Sequence, residues 1–305
     1  MKKIKKIVIF LGYKCNNNCL FCINADKRSY KNKNTDEVIK EIYKAKKENA
    51  DIIEFIGGEA TIRDDFLRII KTAKNIGIKD IVIATNGRMF SNLEFAKKAV
   101  DNGLSAIIFS IHGHNAKAHD ALTQSLGSFE QLVEGIKNLR SLGFDNINGN
   151  TTVVKQNYRH IPDIANLYVK YNVRNVEYIF VDPCYGGAYN NFHKLVPKIS
   201  LASKFMKKAL DIGNKYEYHQ WKVRYVPLCY FKDYLDQISE INERILFDTK
   251  HWAPDFIDND VIRGRTVYAR IKTKRCKGCK LYDICEGIWK EYIKHYGDKE
   301  LKKVI

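Results

Sequence analysis

Short apolar runs alternate with longer amphipathic stretches through the first two-thirds of the chain, and few folds accommodate such a pattern. Strand-like runs fall at 5–11, 51–56, 80–84, 106–111, 148–155 and 173–181, with helical periodicity at 35–48, 64–76, 92–102, 128–142 and 161–171 between them. Strands separated by helices of this length imply βαβ units around a parallel sheet. No Gly-rich dinucleotide turn follows the first strand, which favours an α/β fold of the partial (β/α)6 TIM-type barrel kind over a doubly wound sheet. Right-handed crossovers then set the loop after every strand on one face. The polar and Gly-rich punctuation collects in those loops: Cys15-Asn16-Asn17-Asn18-Cys19-Leu20-Phe21-Cys22, Gly57-Gly58-Glu59, Thr85-Asn86-Gly87 and Ser110-Ile111-His112-Gly113.

Beyond residue 185 the alternation lapses. A helix is expected at 202–215, an extended stretch at 221–229, then a charged, less regular region and a last helix at 287–296. We therefore read a barrel domain over 1–200 and a small C-terminal metal-binding extension over 201–305. With no repeat or low-complexity linker between them, the two parts are expected to pack together.

No run of about 18 apolar residues occurs, so no membrane partner is expected. The basic start, Met1 to Lys6, leads into only a short apolar run, which argues against a secretory signal and for a cytoplasmic protein. Eight cysteines in such a chain point to metal rather than to disulfides. Seven of them are grouped: Cys15, Cys19 and Cys22, then Cys229, Cys276, Cys279 and Cys285. The net charge of +17 has two readings, a polyanionic partner such as nucleic acid or a solvated surface of dispersed Lys. No compact basic cluster interleaved with aromatics accompanies it.

Three thiolates at C-x3-C-x2-C spacing can occupy three corners of a cubane cluster and leave one iron open. The Asn run suits the tight bend. Zinc, the alternative, ordinarily takes two-plus-two spacing and a fourth ligand nearby. The second group reads C-x2-C-x5-C at Cys276, Cys279 and Cys285, with Cys229 a candidate fourth ligand arriving from the extended stretch. For these four, structural zinc and a second cluster both stand.

The first loop resembles the signature of the radical S-adenosylmethionine superfamily, and Gly57-Gly58-Glu59 resembles that family's GGE motif. The resemblance implies a [4Fe–4S] cluster whose open iron binds the amino and carboxylate groups of S-adenosylmethionine. It places Phe21 against the adenine and the glycines close to the cofactor, with Glu59 accepting from the methionine ammonium. Thr85, Asn86 and Ser110 match the contacts of the third and fourth strands, and Asn150 is expected to face the ribose. The second cysteine group is similar to the extensions called SPASM and twitch. Too few cysteines remain for two further clusters, so a twitch-like unit with one auxiliary [4Fe–4S] cluster is expected.

The implied activity is reductive cleavage of S-adenosylmethionine to a 5′-deoxyadenosyl radical, which removes a hydrogen atom from substrate. A one-electron donor such as a flavodoxin or ferredoxin is implied as well. His112-Gly113-His114-Asn115 with Gly127-Ser128-Phe129, and the auxiliary motif ending Cys285-Glu286-Gly287-Ile288-Trp289, resemble peptide-tailoring enzymes. The chain begins almost at its first strand, and no N-terminal leader-binding domain is expected. A small metabolite or a nucleotide, including a tRNA base, is the competing substrate, and a non-catalytic metal-binding module the remaining reading. His112 and His119 are expected to be structural or substrate-shaping. Cys184, in Asp182-Pro183-Cys184, is read either as a hydrogen-atom donor at the barrel mouth or as a small core residue.

Overall fold

The computed structural model describes residues 2–305. The barrel begins with β1 (Ile4–Phe10), α1 (Thr35–Lys47), β2 (Ile52–Ile56), α2 (Phe66–Asn75), β3 (Asp80–Thr85), α3 (Leu93–Asp101) and β4 (Ala106–Ser110). Two helices, α4 (Ala116–Thr123) and α5 (Ser128–Ser141), separate β4 from β5 (Ile147–Val153). Then come α6 (Ile161–Lys170), β6 (Asn175–Phe180), the short α7 (Gly186–Asn190) and α8 (Phe192–Leu195), α9 (Ile199–Lys215) and β7 (Gln220–Arg224). The rest holds α10 (Ser239–Leu246), β8 (Phe247–Trp252), β9 (Ile257–Asp258), α11 (Val261–Arg263, continuing as a π-helical turn through Ala269), β10 (Arg270–Ile271), β11 (Ile288–Trp289) and α12 (Lys290–Tyr296).

The main sheet runs β7-β6-β5-β4-β3-β2-β1-β8-β9. Strands β1 to β8 pair in parallel, as expected for βαβ units, and β9 turns back antiparallel on β8. The six expected strands and five expected helices are present, with ends shifted by at most two residues. Two strands beyond residue 200 extend the sheet. The stretch expected to be merely extended supplies β7 on β6, and β8 lies beside β1 in the register Ile4↔Phe247 to Ile9↔Trp252. Helix α10 lies between β7 and β8 in the chain and packs against both.

Side-chain alternation gives the sheet two faces. Ile7, Ile9, Ile53, Phe55, Ile83, Phe109, Tyr178 and Trp221 are buried in the main core. Tyr168 of α6, Tyr178 and Trp221 meet edge to face at 6.0–6.3 Å, which marks the helix side of the sheet. The opposite register lines the lumen, where Val8, Phe10 and Ala253 form a separate small cluster. Deeper lumen positions are ionic. Lys6 pairs with Glu54, Arg224 with Glu177 at 2.8 Å and Glu243 at 3.3 Å, and Arg265 of the π turn also reaches Glu243, at 2.8 Å.

The C-terminal extension shares the main core: Trp289, Tyr292 and Leu301 are buried in it. The Ile199 amide donates to the Tyr292 hydroxyl at 2.9 Å, tying α12 to the start of α9. The C-terminal residues therefore pack into the same core as the barrel. Among the described residues no helix is long and apolar enough to cross a membrane.

Candidate active site and metal centres

The loop after β1 carries Cys15, Cys19 and Cys22, all half-buried. Burial pushes the Cys19 thiol up to about 12, with Cys22 and Cys15 adding to the shift as neighbouring negative groups. Burial also raises Cys15, opposed by the Asn17 amide, which donates to its sulfur at 3.4 Å, and by the Arg28 guanidinium. Free thiols in such a place stay protonated, whereas thiolates bound to a cationic metal group would be favoured by the same donors.

The loop is braced on every side. Asn18 and Leu20 amides donate to the carbonyls of Thr123 and Leu122 at 2.9 and 3.0 Å. Arg88 donates to Asn17 Oδ1 at 2.9 Å and to the Asn16 carbonyl. Asn86 Nδ2 donates to Asn16 Oδ1 at 2.7 Å and reaches Cys15 Sγ at 3.9 Å. Arg28 and Arg88 were not legible as site residues, and their only sequence signal is a cation within a few positions of a cysteine or turn motif.

The Gly57-Gly58 pair lets backbone approach backbone. Gly57 has φ +137°, and a Cβ at Gly58 would fall 1.9 Å from the Lys14 carbonyl oxygen. Gly58 and Glu59 amides donate to Gly12 and Lys14 carbonyls at 2.8 Å, locking the second loop to the first. Glu59 is buried. Its Oε1 accepts from Thr61 N (3.1 Å), Thr61 Oγ1 (2.6 Å) and Thr85 Oγ1 (2.7 Å), while Oε2 accepts from Asn86 N at 2.7 Å. Burial raises its carboxyl and these donors oppose the shift. One lone pair of Oε2 remains unused. Thr85 lies behind Glu59 and also accepts from the Gly87 amide at 3.0 Å, so it touches the carboxylate rather than the lumen.

Across the mouth, Ser110 and Asn150 are half-buried and sit side by side, paired in the β4–β5 register. Phe21 is buried and meets the His112 ring edge-on at 4.7 Å. His112 Nδ1 accepts from Thr152 N and His119 Nδ1 accepts from His112 N, both at 3.2 Å. Burial lowers both imidazoles, His119 to about 4, so the pair is neutral and joins α4 to the β4–β5 edge.

After β6, Asp182 accepts from the Cys184 amide at 2.8 Å, and the Cys184 thiol is pushed up by burial and by that carboxylate. The Gly187 amide then donates to the Cys22 carbonyl at 2.9 Å, bringing this turn against the cysteine loop.

The second cysteine group is brought together. Cys229, Cys276, Cys279 and Cys285 line one cavity of about 20 Å³, with Pro227, Leu281 and Leu301 in its wall. Backbone amides point at the sulfurs: Gly287 N to Cys285 at 3.3 Å and Val304 N to Cys279 at 3.4 Å, with Lys302 against Cys229 and Leu228 against Cys285. Such N–H donors suit thiolates that carry negative charge on a metal cluster. The C-terminal tail that supplies two of them showed no motif in the sequence. Among the described residues, neither cysteine group gathers three sulfurs within 4.8 Å of one another. Four thiols facing one cavity are a donor set that both a [4Fe–4S] cluster and a zinc ion take.

Comparison with known proteins agrees with this geometry. The family model described as the Radical SAM superfamily matches residues 9–168, just over half of the chain. A probable GTP 3',8-cyclase of Sulfurisphaera tokodaii is 26% identical over 211 residues, which cover 69% of this chain and 66% of that protein. The mycofactocin maturase MftC of Mycolicibacterium smegmatis is 29% identical over 164 residues, covering 53% of this chain and 41% of that one. The chain thus spans just under two thirds and about two fifths of the length of these relatives. Among solved structures, Streptococcus suis SuiB bound to S-adenosylmethionine superposes with TM-score 0.70 at 16% identity, covering 95% of this chain and 74% of that one. The anSMEcpe structure with bound AdoMet and Cp18Cys peptide covers 98% of this chain and 92% of that one, with TM-score 0.66 at 16% identity.

Proposed function

The chain belongs to the radical SAM superfamily and is an enzyme of that class, and from this premise we propose that its substrate is a peptide or protein. When bound, the [4Fe–4S] cluster and S-adenosylmethionine supply the chemistry of the class, reductive formation of a 5′-deoxyadenosyl radical that takes a hydrogen atom from substrate. Cys15, Cys19 and Cys22 would hold the cluster, three ligands for its four irons. The free lone pair of Glu59 Oε2 would accept from the methionine ammonium, and Thr85 Oγ1 and Asn86 N fix that carboxylate. Phe21 serves the adenine, Ser110 and Asn150 the ribose and carboxylate, and Asn86 Nδ2 the cluster edge. The Gly57-Gly58 turn draws the second loop close enough for these contacts. Cys229, Cys276, Cys279 and Cys285 hold an auxiliary [4Fe–4S] cluster in a twitch-like extension, which we assign to residues 201–305. A flavodoxin- or ferredoxin-like protein is the expected donor of the electron.

The observation that carries the peptide reading is the charge balance of the lumen. Most of its cations are matched by carboxylates of the chain itself: Lys6 by Glu54, Arg224 by Glu177 and Glu243, Arg265 by Glu243 and Glu286, Arg270 by Glu240 and Glu286, while Lys222 of β7 donates to Gln220 Oε1 at 3.1 Å. A nucleoside triphosphate needs cations free to meet its phosphates. The whole-chain likeness to SuiB and anSMEcpe structures, extension included, points the same way. A nucleotide or tRNA substrate is the second reading, favoured by the likeness to GTP 3',8-cyclases and by the net charge of +17.

The two readings separate in one assay, 5′-deoxyadenosine release by the anaerobically reconstituted enzyme with GTP or with cysteine-containing peptides. Peptide-dependent release at least about tenfold above the uncoupled rate, a difference of about 1.4 kcal/mol in barrier, is expected. Stoichiometric GTP consumption replaces the peptide reading with the nucleotide one. Cys184 keeps its proton, the state that hydrogen-atom donation requires. Full turnover with unchanged product in Cys184→Ala makes it a core residue instead.

A further inference from the structure

Two loops at the barrel mouth bring imidazoles and a carboxylate together at a place the reaction above does not use. His114 lies in the turn between β4 and α4, His160 precedes α6, and Asp163 sits in the first turn of α6. One donor atom from each lies within 4.8 Å of the other two, and among the described residues this is the only such set of three His, Cys, Asp or Glu groups. The two imidazoles stack with centroids 4.6 Å apart and planes 26° apart. His160 Nδ1 meets Asp163 Oδ2 at 2.9 Å.

An i, i+3 contact between His160 and Asp163 is ordinary on a helix. It does not explain His114, which comes from a different loop and whose Nδ1 is buried without a hydrogen-bond partner. The nearest basic neighbour in sequence, Arg159, is turned away, donating to the Tyr158 hydroxyl at 3.0 Å.

We propose that His114, His160 and Asp163 form a mononuclear site for a divalent transition-metal ion of the zinc, nickel or cobalt type. Two imidazoles and one carboxylate are the donors such borderline ions take, and water fills the remaining positions. The ion gives the buried His114 Nδ1 the partner it lacks. Metal on Nδ1 leaves the ring proton on Nε2, so Asn115 Nδ2, 2.8 Å away, moves off it while Asn115 Oδ1 keeps capping α4 at the Ala118 amide. Magnesium and calcium, which prefer oxygen ligands, are excluded. The ion joins the β4–α4 loop to the turn before α6 and uses none of the cysteines.

The test uses protein whose iron–sulfur sites are already loaded, so that thiols do not compete. Equilibrium dialysis against micromolar zinc, with elemental analysis, is expected to find one zinc per chain beyond the iron. His114→Gln/His160→Gln abolishes that zinc while leaving iron content and metal-free unfolding midpoint unchanged. Asp163→Asn weakens it by roughly tenfold or more, as loss of a direct ligand exceeds that of an outer-sphere partner. Cobalt in the same place shows ligand-field bands without thiolate charge transfer. Zinc retained in the double variant, a thiolate charge-transfer band, or no zinc held at all overturns the proposal, and none of these bears on the radical SAM reading.

Discussion

The Gly187 amide donates to the Cys22 carbonyl oxygen at 2.9 Å, so the turn after the sixth strand is fastened to the cysteine loop after the first. The contact exists because position 187 has no side chain: a Cβ there would lie 2.0 Å from the Leu20 carbonyl oxygen. Gly186 is equally close, its Cβ position 2.3 Å from the Cys22 carbonyl, at φ +55°. The loop that must hold three thiolates in fixed relation is thus shaped by backbone from both sides, by Gly58 below and Gly187 above.

Gly187→Ala is therefore expected to push the cysteine loop out of place at a cost of about 1–3 kcal/mol. Iron from the first site should fall while iron from the C-terminal group stays, read by elemental analysis and Mössbauer spectra. An unchanged iron content with unchanged S-adenosylmethionine binding would show that the loop tolerates the shift.

Cys229→Ser tests whether four thiolates or three close the C-terminal group. Cys229 shares the cavity with Cys276, Cys279 and Cys285 and faces the Lys302 amide. Loss of a direct ligand should reduce occupancy of that site roughly tenfold or more under limiting iron. The converse variant, Cys15/Cys19/Cys22→Ala, should halve the iron from about eight to about four and abolish S-adenosylmethionine cleavage. Full auxiliary iron in Cys229→Ser makes Cys229 a wall residue of that cavity.

How much of this was visible beforehand differs by element. Strands β1 to β4 and β6 announced themselves because each carries a run of apolar residues for the helix-side core, β5 showed only Ile147 and Val153 with β-branched Thr151 and Thr152 between turn signals, and the cysteine spacings were legible outright. Strand β8 was not, since Phe247-Asp248-Thr249-Lys250-His251-Trp252 has no such run and is held by backbone pairing to β1. Helix α4 was missed because only His119, Leu122 and Thr123 are buried along its eight residues. Arg88, Arg28 and the tail amides of Lys302 and Val304 act through long-range approach, which no local pattern encodes.

Arg28 supplies a third prediction. Its guanidinium is close enough to Cys15 and Cys19 to oppose the raising of both thiols, and its Nε is buried without a partner. A fixed positive charge stabilises the reduced, more negative state of a thiolate-ligated cluster. Arg28→Met should lower the midpoint potential of the first cluster by tens of millivolts, where about 59 mV corresponds to tenfold in a one-electron equilibrium. Anaerobic redox titration followed by EPR reads this directly. A potential that stays in place assigns Arg28 to shaping the loop alone.

The last prediction concerns acid stability and follows from His119. Its ring is fully buried, and burial lowers its pKa from 6.5 to about 4, against a small opposing effect of Asp120. Between those two values the unfolded chain binds a proton that the native state refuses. Stability contributed by the neutral ring is therefore complete above pH 6.5 and is lost as pH falls toward 4. Going from about pH 7.5 to pH 5, this one group should cost about 2 kcal/mol, and buried His112, lowered in the same direction, adds to the slope. His119→Asn keeps a side-chain oxygen to accept from the His112 amide and removes the titration. Urea unfolding at the two pH values should show the variant losing about 2 kcal/mol less stability than wild type. Equal losses in both proteins would mean that His119 charges freely in the native state, and acid sensitivity would then have to come from carboxylates such as Asp120 and Asp65, whose hydrogen bonds hold them below the usual range.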